Sequence, residues 1–168
     1  MDPMRLALPA FFAILLASSS FVHAATTEVD ATEAAVPEPI EKSHDLLLYA
    51  LSLNGTAYKY GGSNETNGFD CSGFVGHVFR QAAGLALPRT ARAMSQNGSQ
   101  VSKNELKPGD LVFFNTLRRA FSHVGIYLGN NRFIHASSSA RGDVMVSDLT
   151  QQYWSKRFNG ARRLALSE

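Results

Sequence analysis

The chain carries a single cysteine, Cys71, within Phe69-Asp70-Cys71-Ser72-Gly73-Phe74-Val75. A polar loop gives way there to a segment with a helical apolar stripe, which puts the thiol at the start of a helix. The positive end of a helix dipole favours thiolate over thiol, and thiolates are nucleophiles. Two histidines follow, His123 and His135. Cysteine, base and a third polar group that steers the base is one order in which covalent catalysis can be strung along a chain.

Whether the two imidazoles meet depends on the hairpin that carries them. His123 opens the strand His123–Leu128 and His135 nears the end of Arg132–Ala136, around Gly129-Asn130-Asn131. Side chains alternate between faces, so one residue of register decides the matter. A plain two-residue loop at Asn130-Asn131 puts the histidines on opposite faces. A three-residue loop or a bulge puts them on the same face, with Val124, Ile126, Leu128 and Ile134 as one apolar layer on the other. The second arrangement is expected. His123 would then face Cys71, and His135 would hold its imidazole in the useful tautomer. Such an orienter must be neutral and accept through one nitrogen.

The elements that position these groups read as helices first and strands second. Ser43 is expected to cap a first helix that ends at Asn54-Gly55. A second helix is expected from Cys71 to Ala83, stopped by Gly84, with Phe74, Val75, Val78 and Phe79 as its buried stripe. Gly73 and Gly76 each weaken it by about 1 kcal/mol relative to Ala, which points to close approach by a backbone or ligand. Thr90 is expected to cap a short helix through Gln96. Strands follow at Leu111–Phe114, His123–Leu128, Arg132–Ala136 and Val144–Ser147, with an ambiguous Tyr153–Phe158 and a closing Ala161–Leu166. This is an α+β arrangement, N-terminal helices packed on a C-terminal antiparallel sheet.

The 168 residues suffice for one core plus extras. Residues 1–24 read as a secretory signal peptide: Arg5, an uncharged apolar stretch from Leu6 to Val22, then cleavage after Ala24 or Ala25. Residues 25–41 read as an acidic disordered linker, and 42–168 as the domain. With one cysteine no intramolecular disulfide can form, so the exported domain must rest on its core. The net charge of +2 argues for no nucleic-acid partner. It is unevenly spread, 5 Lys and Arg against 8 Asp and Glu in residues 25–100, and 10 against 5 in residues 101–168. The basic half is either a solvated face or an attraction to an anionic polymer. His77 reads as structural, His44 as surface, and His23 as part of the signal. No His-Glu-x-x-His, Cys pair or acidic cluster marks a metal site, and no Gly-rich loop has phosphate-cradling spacing. No metal or other cofactor is expected.

Taken together, Gly55-Thr56-Ala57-Tyr58-Lys59-Tyr60-Gly61-Gly62, Phe69–Val75, Leu87-Pro88-Arg89, Lys107-Pro108-Gly109-Asp110-Leu111-Val112-Phe113-Phe114, His123–Gly129 and Phe133-Ile134-His135-Ala136 resemble the NlpC-type cysteine peptidases. The resemblance spans about Lys42 to Leu166. The ending, Tyr153–Phe158 and Ala161–Leu164, is similar to small murein endopeptidases of Gram-negative bacteria. The resemblance implies a minimal papain-like domain that hydrolyses peptidoglycan stem peptides or cross-links. It implies Cys71 as nucleophile, His123 as general base and acid, and His135 as orienter. It also implies Tyr58 near the oxyanion position, with Asp70 and Ser72 contacting the stem peptide, Asp70 through an ammonium group. Many relatives of that type are lipoproteins; without an anchoring cysteine, a periplasmic or secreted monomer with no membrane span after cleavage is expected. A catalytically silent peptidoglycan-binding module and an acyltransferase remain the alternatives.

Overall fold

The computed structural model describes residues 38–116, 118–139 and 141–166. The expected signal peptide and residues 25–37 of the expected linker lie outside them. Helix α1 covers Glu38–Ser52, starting four residues before the boundary drawn at Lys42. Pro39 falls in its first turn, where a missing N–H breaks no helical bond. Ser43 is therefore inside the helix and not its cap; its hydroxyl donates to the Pro108 carbonyl. Two short strands, β1 (Ser63–Asn64) and β2 (Gly68–Phe69), pair ahead of helix α2 (Cys71–Ala83).

The bounds of α2 match the expectation and have local causes. Asp70 caps its start by accepting from the Gly73 N–H, and Gly84 ends it in the left-handed conformation at φ 64°. A Cβ on Gly73 would collide with the Gly62 carbonyl oxygen, so a passing backbone explains that glycine. Gly76 has no such neighbour: its nearest contact for a Cβ is the Met94 methyl at 3.7 Å. Helix α3 is a single turn, Ala91–Met94, capped by Thr90 as expected but shorter.

Six strands form one antiparallel sheet: β3 (Ser99–Val101), β4 (Leu111–Phe114), β5 (His123–Gly129), β6 (Arg132–Ala136), β7 (Val144–Asp148) and β8 (Phe158–Arg163), in the order β3-β8-β4-β5-β6-β7. The ambiguous Tyr153–Phe158 stretch resolves into a helical turn, α4 (Gln152–Ser155), leading into β8. The last strand starts three residues earlier than expected and inserts between β3 and β4.

Alternation sorts the sheet into two faces. Leu111, Phe113, Val124, Ile126 and Ile134 join Leu46, Phe74, Val78 and Phe79 of α1 and α2 in the main core. Val112, Phe114, Tyr127 and Phe133 pack with Leu149, Trp154 and Ala161 on the reverse face. His123 and His135 share the parity of Tyr127 and Phe133, so they lie on the reverse face, beneath α4. Among the described residues no helix is long and apolar enough to cross a membrane.

Candidate active site

The β5–β6 hairpin solves the register problem with a bulge. Asn130 and Asn131 form a two-residue turn with φ of 49° and 60°, and Gly129 precedes them at φ 93°. Gly129 pairs with Arg132, but Tyr127 pairs with Phe133 and Ile126 with Ile134, one residue out of step. The extra residue brings the histidines to the same face, and Val124, Ile126 and Ile134 to the core.

His123 Nε2 and His135 Nδ1 stand 2.8 Å apart and share one proton. Their rings meet nearly at right angles, 86°, with centroids 4.9 Å apart. The second nitrogen of His135, Nε2, is 2.9 Å from Ser147 Oγ on β7. Trp154 lies over His123 at 5.6 Å and 25°, and presents its edge to His135 at 4.9 Å. Phe133 stacks on His135 at 4.8 Å. His135 is fully buried and His123 is 8% exposed. Burial pulls the His123 pKa down to about 4. His135 is held well below its ordinary value by burial and by the neighbouring His123. Both imidazoles are neutral at neutral pH.

Cys71, at the start of α2, packs against the main core and meets the hairpin at Val124, the residue after His123. The backbone N–H groups of Val124, of Ser72 and of Cys71 itself face its sulfur and favour the thiolate. Burial pushes the thiol up, and the Asp70 charge pushes it further; the three N–H groups offset this only in part. The expectation of a standing thiolate at the helix start is therefore corrected: desolvation outweighs the helix end, and the resting pair is thiol and imidazole.

The remaining expected site residues cluster around the start of α2. Both Asp70 oxygens bind Arg89, Oδ1 to Nη1 at 2.9 Å and Oδ2 to Nη2 at 2.8 Å. The carboxylate also accepts from the N–H groups of Gly61 and Gly73 and from the Ser72 hydroxyl. Burial alone would raise the Asp70 pKa, but Arg89, Gly73 and Ser72 together leave it lowered. Ser72 is 6% exposed, and its hydroxyl also accepts from Arg89 Nη1. Both residues are thus tied into an internal clasp, with Arg89 Nη2 reaching on to the Gly62 carbonyl. Tyr58 is half-buried, and burial, with the charges of Cys71 and Asp70, raises its hydroxyl pKa. His77 bonds Tyr49 and Glu65 away from the site, and His44 is exposed.

Three residues went unnamed as site members on sequence grounds. Arg89 lies within Leu87-Pro88-Arg89, and a buried capping carboxylate calls for a cation, which is a usable signal. Ser147 and Trp154 had none, because each acts across strands or from a helical turn whose placement is not local. With Thr116, Ser137, Ser139, Tyr153 and His123, they line a cleft of about 490 Å³.

The NlpC/P60 family model matches residues 55–163. The chain is 48% identical to the murein DD-endopeptidase MepS/murein LD-carboxypeptidase of Escherichia coli (strain K12), over 66% of this chain and 56% of that protein. It is 41% identical to the probable endopeptidase NlpC of the same organism, over 96% of this chain and all of that one. Among solved structures, an NLP/P60-family protein similar to lipoprotein from Staphylococcus aureus superposes with a TM-score of 0.66 at 35% identity, covering 74% of this chain and 41% of that one. The match thus spans little over half of the MepS relative's length. With the α+β sheet and the bulged hairpin in place, and a family model matched over more than half of its residues, the chain belongs to the NlpC/P60 family.

Proposed function

We propose that this chain is an exported cysteine endopeptidase that hydrolyses peptide bonds in peptidoglycan stem peptides or cross-links. The observation that carries the reading is the 2.8 Å bond between His123 and His135, with the backbone N–H of Val124, the residue after His123, against the Cys71 sulfur. Nε2 of His123 is committed to His135, so Nδ1 is the nitrogen left for the thiol.

In this reading Cys71 Sγ attacks the scissile carbonyl carbon as its proton passes to His123 Nδ1. The carbonyl becomes an oxyanion at the start of α2, where each well-placed N–H donor is worth about 3 kcal/mol. Tyr58 stands beside it. Collapse of the intermediate breaks the C–N bond, and the departing nitrogen takes the proton from His123, leaving a thioester. Water then gives a proton to His123 and attacks the thioester; the acid product leaves and the thiol is restored. The Asp70–Arg89–Ser72 clasp fixes the helix start and, through the half-exposed guanidinium, borders the stem-peptide side.

The name of the 48% identical relative favours the diaminopimelate–D-alanine cross-link; cleavage between D-glutamate and diaminopimelate is the other candidate. The test is mass spectrometry of muropeptides digested by the wild-type protein and by Cys71→Ala. New free stem ends from wild type only are expected, and the cross-linked dimer against the monomer tells which bond is cut. Identical products from both proteins would remove the enzyme claim. Amine-capped products in place of new carboxylates would turn the reading to acyl transfer.

A further inference from the structure

We infer that Ser147 is a positioning residue that, acting through His135, keeps the lone pair of His123 on the nitrogen facing the thiol; this rests on the peptidase reading of the site. Each nitrogen of the fully buried His135 has one partner, His123 Nε2 at 2.8 Å and Ser147 Oγ at 2.9 Å. A neutral imidazole holds one N–H and one lone pair. Two such rings in series admit only two proton arrangements. In one, Ser147 donates to His135 Nε2, His135 Nδ1–H donates to His123 Nε2, and His123 carries its own N–H at Nδ1, useless as a base. In the other, His135 Nε2–H donates to Ser147 Oγ, His135 Nδ1 accepts from His123 Nε2–H, and the lone pair of His123 stays at Nδ1.

The proposed mechanism needs the second, and the surroundings of Ser147 permit it. Its hydroxyl lines the 490 Å³ cleft, so its own proton can be given to water there while a lone pair receives the His135 N–H. Ser147 pairs with Phe133 across β6–β7, and His135 pairs with Met145, so the hydroxyl reaches the imidazole diagonally on one face. Ring flips that would exchange the nitrogens are opposed by Phe133 against His135 and by Trp154 against His123. A hydroxyl is suited to the role because it accepts without bringing charge to a buried pair of neutral rings.

The experiment uses the full chain with ¹⁵N-labelled histidine and four variants. In wild type at neutral pH, ring-nitrogen shifts should report His123 protonated at Nε2 and bare at Nδ1. In Ser147→Ala the two tautomers should mix, and kcat on muropeptides should fall about tenfold, the lower end for loss of a partner behind a reactive group, with KM within twofold. Ser147→Thr, which restores the hydroxyl, should recover both readouts. Wild-type His123 protonated at Nδ1, or Ser147→Ala with unchanged shifts and kcat within twofold, would overturn the inference. His135→Ala or Cys71→Ala with wild-type cleavage would instead sink the peptidase reading, and the tautomer measurement, which needs no turnover, would still decide the role of Ser147.

Discussion

Two walls of the candidate site, the start of α2 and the face of the sheet under α4, hold their polar groups by opposite means. At the start of α2, Asp70 and Arg89 are charged, bonded at both carboxylate oxygens and open to water on the arginine side, which is 47% exposed. Under α4, His123 and His135 are neutral and packed against Trp154 and Phe133, with His123 reaching the cleft. A charged clasp tolerates solvent, because an ion pair retains most of its hydration at the surface. A proton relay between imidazoles does not, since water competes for each lone pair and softens the choice of tautomer. In the proposed mechanism the nucleophile is thus anchored beside charge and the base is steered by burial.

The largest test of that contrast removes the orienter. His135→Ala should lower muropeptide cleavage by about four orders of magnitude, comparable to losing the tautomer-fixing member of a triad. Rates of product release, measured beside a Cys71→Ala blank, check it. A loss under tenfold would mean that the sheet wall is not the reactive side.

Acid should distinguish the walls by stability. The folded His123 pKa, about 4, lies below the unfolded value near 6.5, so the native state binds fewer protons between these pH values. Its contribution is complete above pH 6.5 and is lost as pH falls toward 4, about 3 kcal/mol from this residue alone. His135 shifts in the same direction and steepens the slope. The Asp70 carboxyl is lowered, so its contribution persists through that window and fades only below its unfolded value near 3.8. Urea titrations from pH 7 to 4 should show the midpoint falling steadily. A flat midpoint across the window would show that the rings are hydrated.

Both walls were unequally legible in the sequence. The limits of α2 follow from Asp70 and Gly84, which act within a turn of themselves. The same-face histidines follow from the conflict between the Asn130-Asn131 turn and the apolar alternation, which only an extra residue resolves. The insertion of β8 between β3 and β4 has no local cause, because the pairing joins Ala161 to Val101 and Val112 across the chain. Ser147 reads as an ordinary strand serine until β7 is laid beside β6. The helical start of α1 is hidden by the prolines around it, which mimic a linker composition although Pro39 fits within a first turn.

Arg89→Ala tests the clasp and should cost about 2 kcal/mol, less than a fully buried pair because the guanidinium is half in water. Asp70 would retain its bonds from Gly61, Gly73 and Ser72, so the fold should survive. Thermal melts give the cost, and Arg89→Lys should recover only part of it, since one ammonium cannot reach both oxygens and the Gly62 carbonyl together. Wild-type melting temperatures in both variants would remove Arg89 from the support of α2.

Trp154→Phe should have the smallest effect on stability, about 1 kcal/mol, and it sharpens the contrast most directly. The smaller ring still packs on Phe114 and Phe133 but uncovers part of the His123 face and of the His135 ring. Water entering there lessens the desolvation that depresses His123, so its pKa should rise from about 4 toward 6.5. The acid limb of the pH–rate profile should move to higher pH by the same amount, while activity at pH 8, where the ring is neutral in either protein, changes little. An acid limb that stays put would mean that the strands themselves, and not the indole, keep the imidazoles dry.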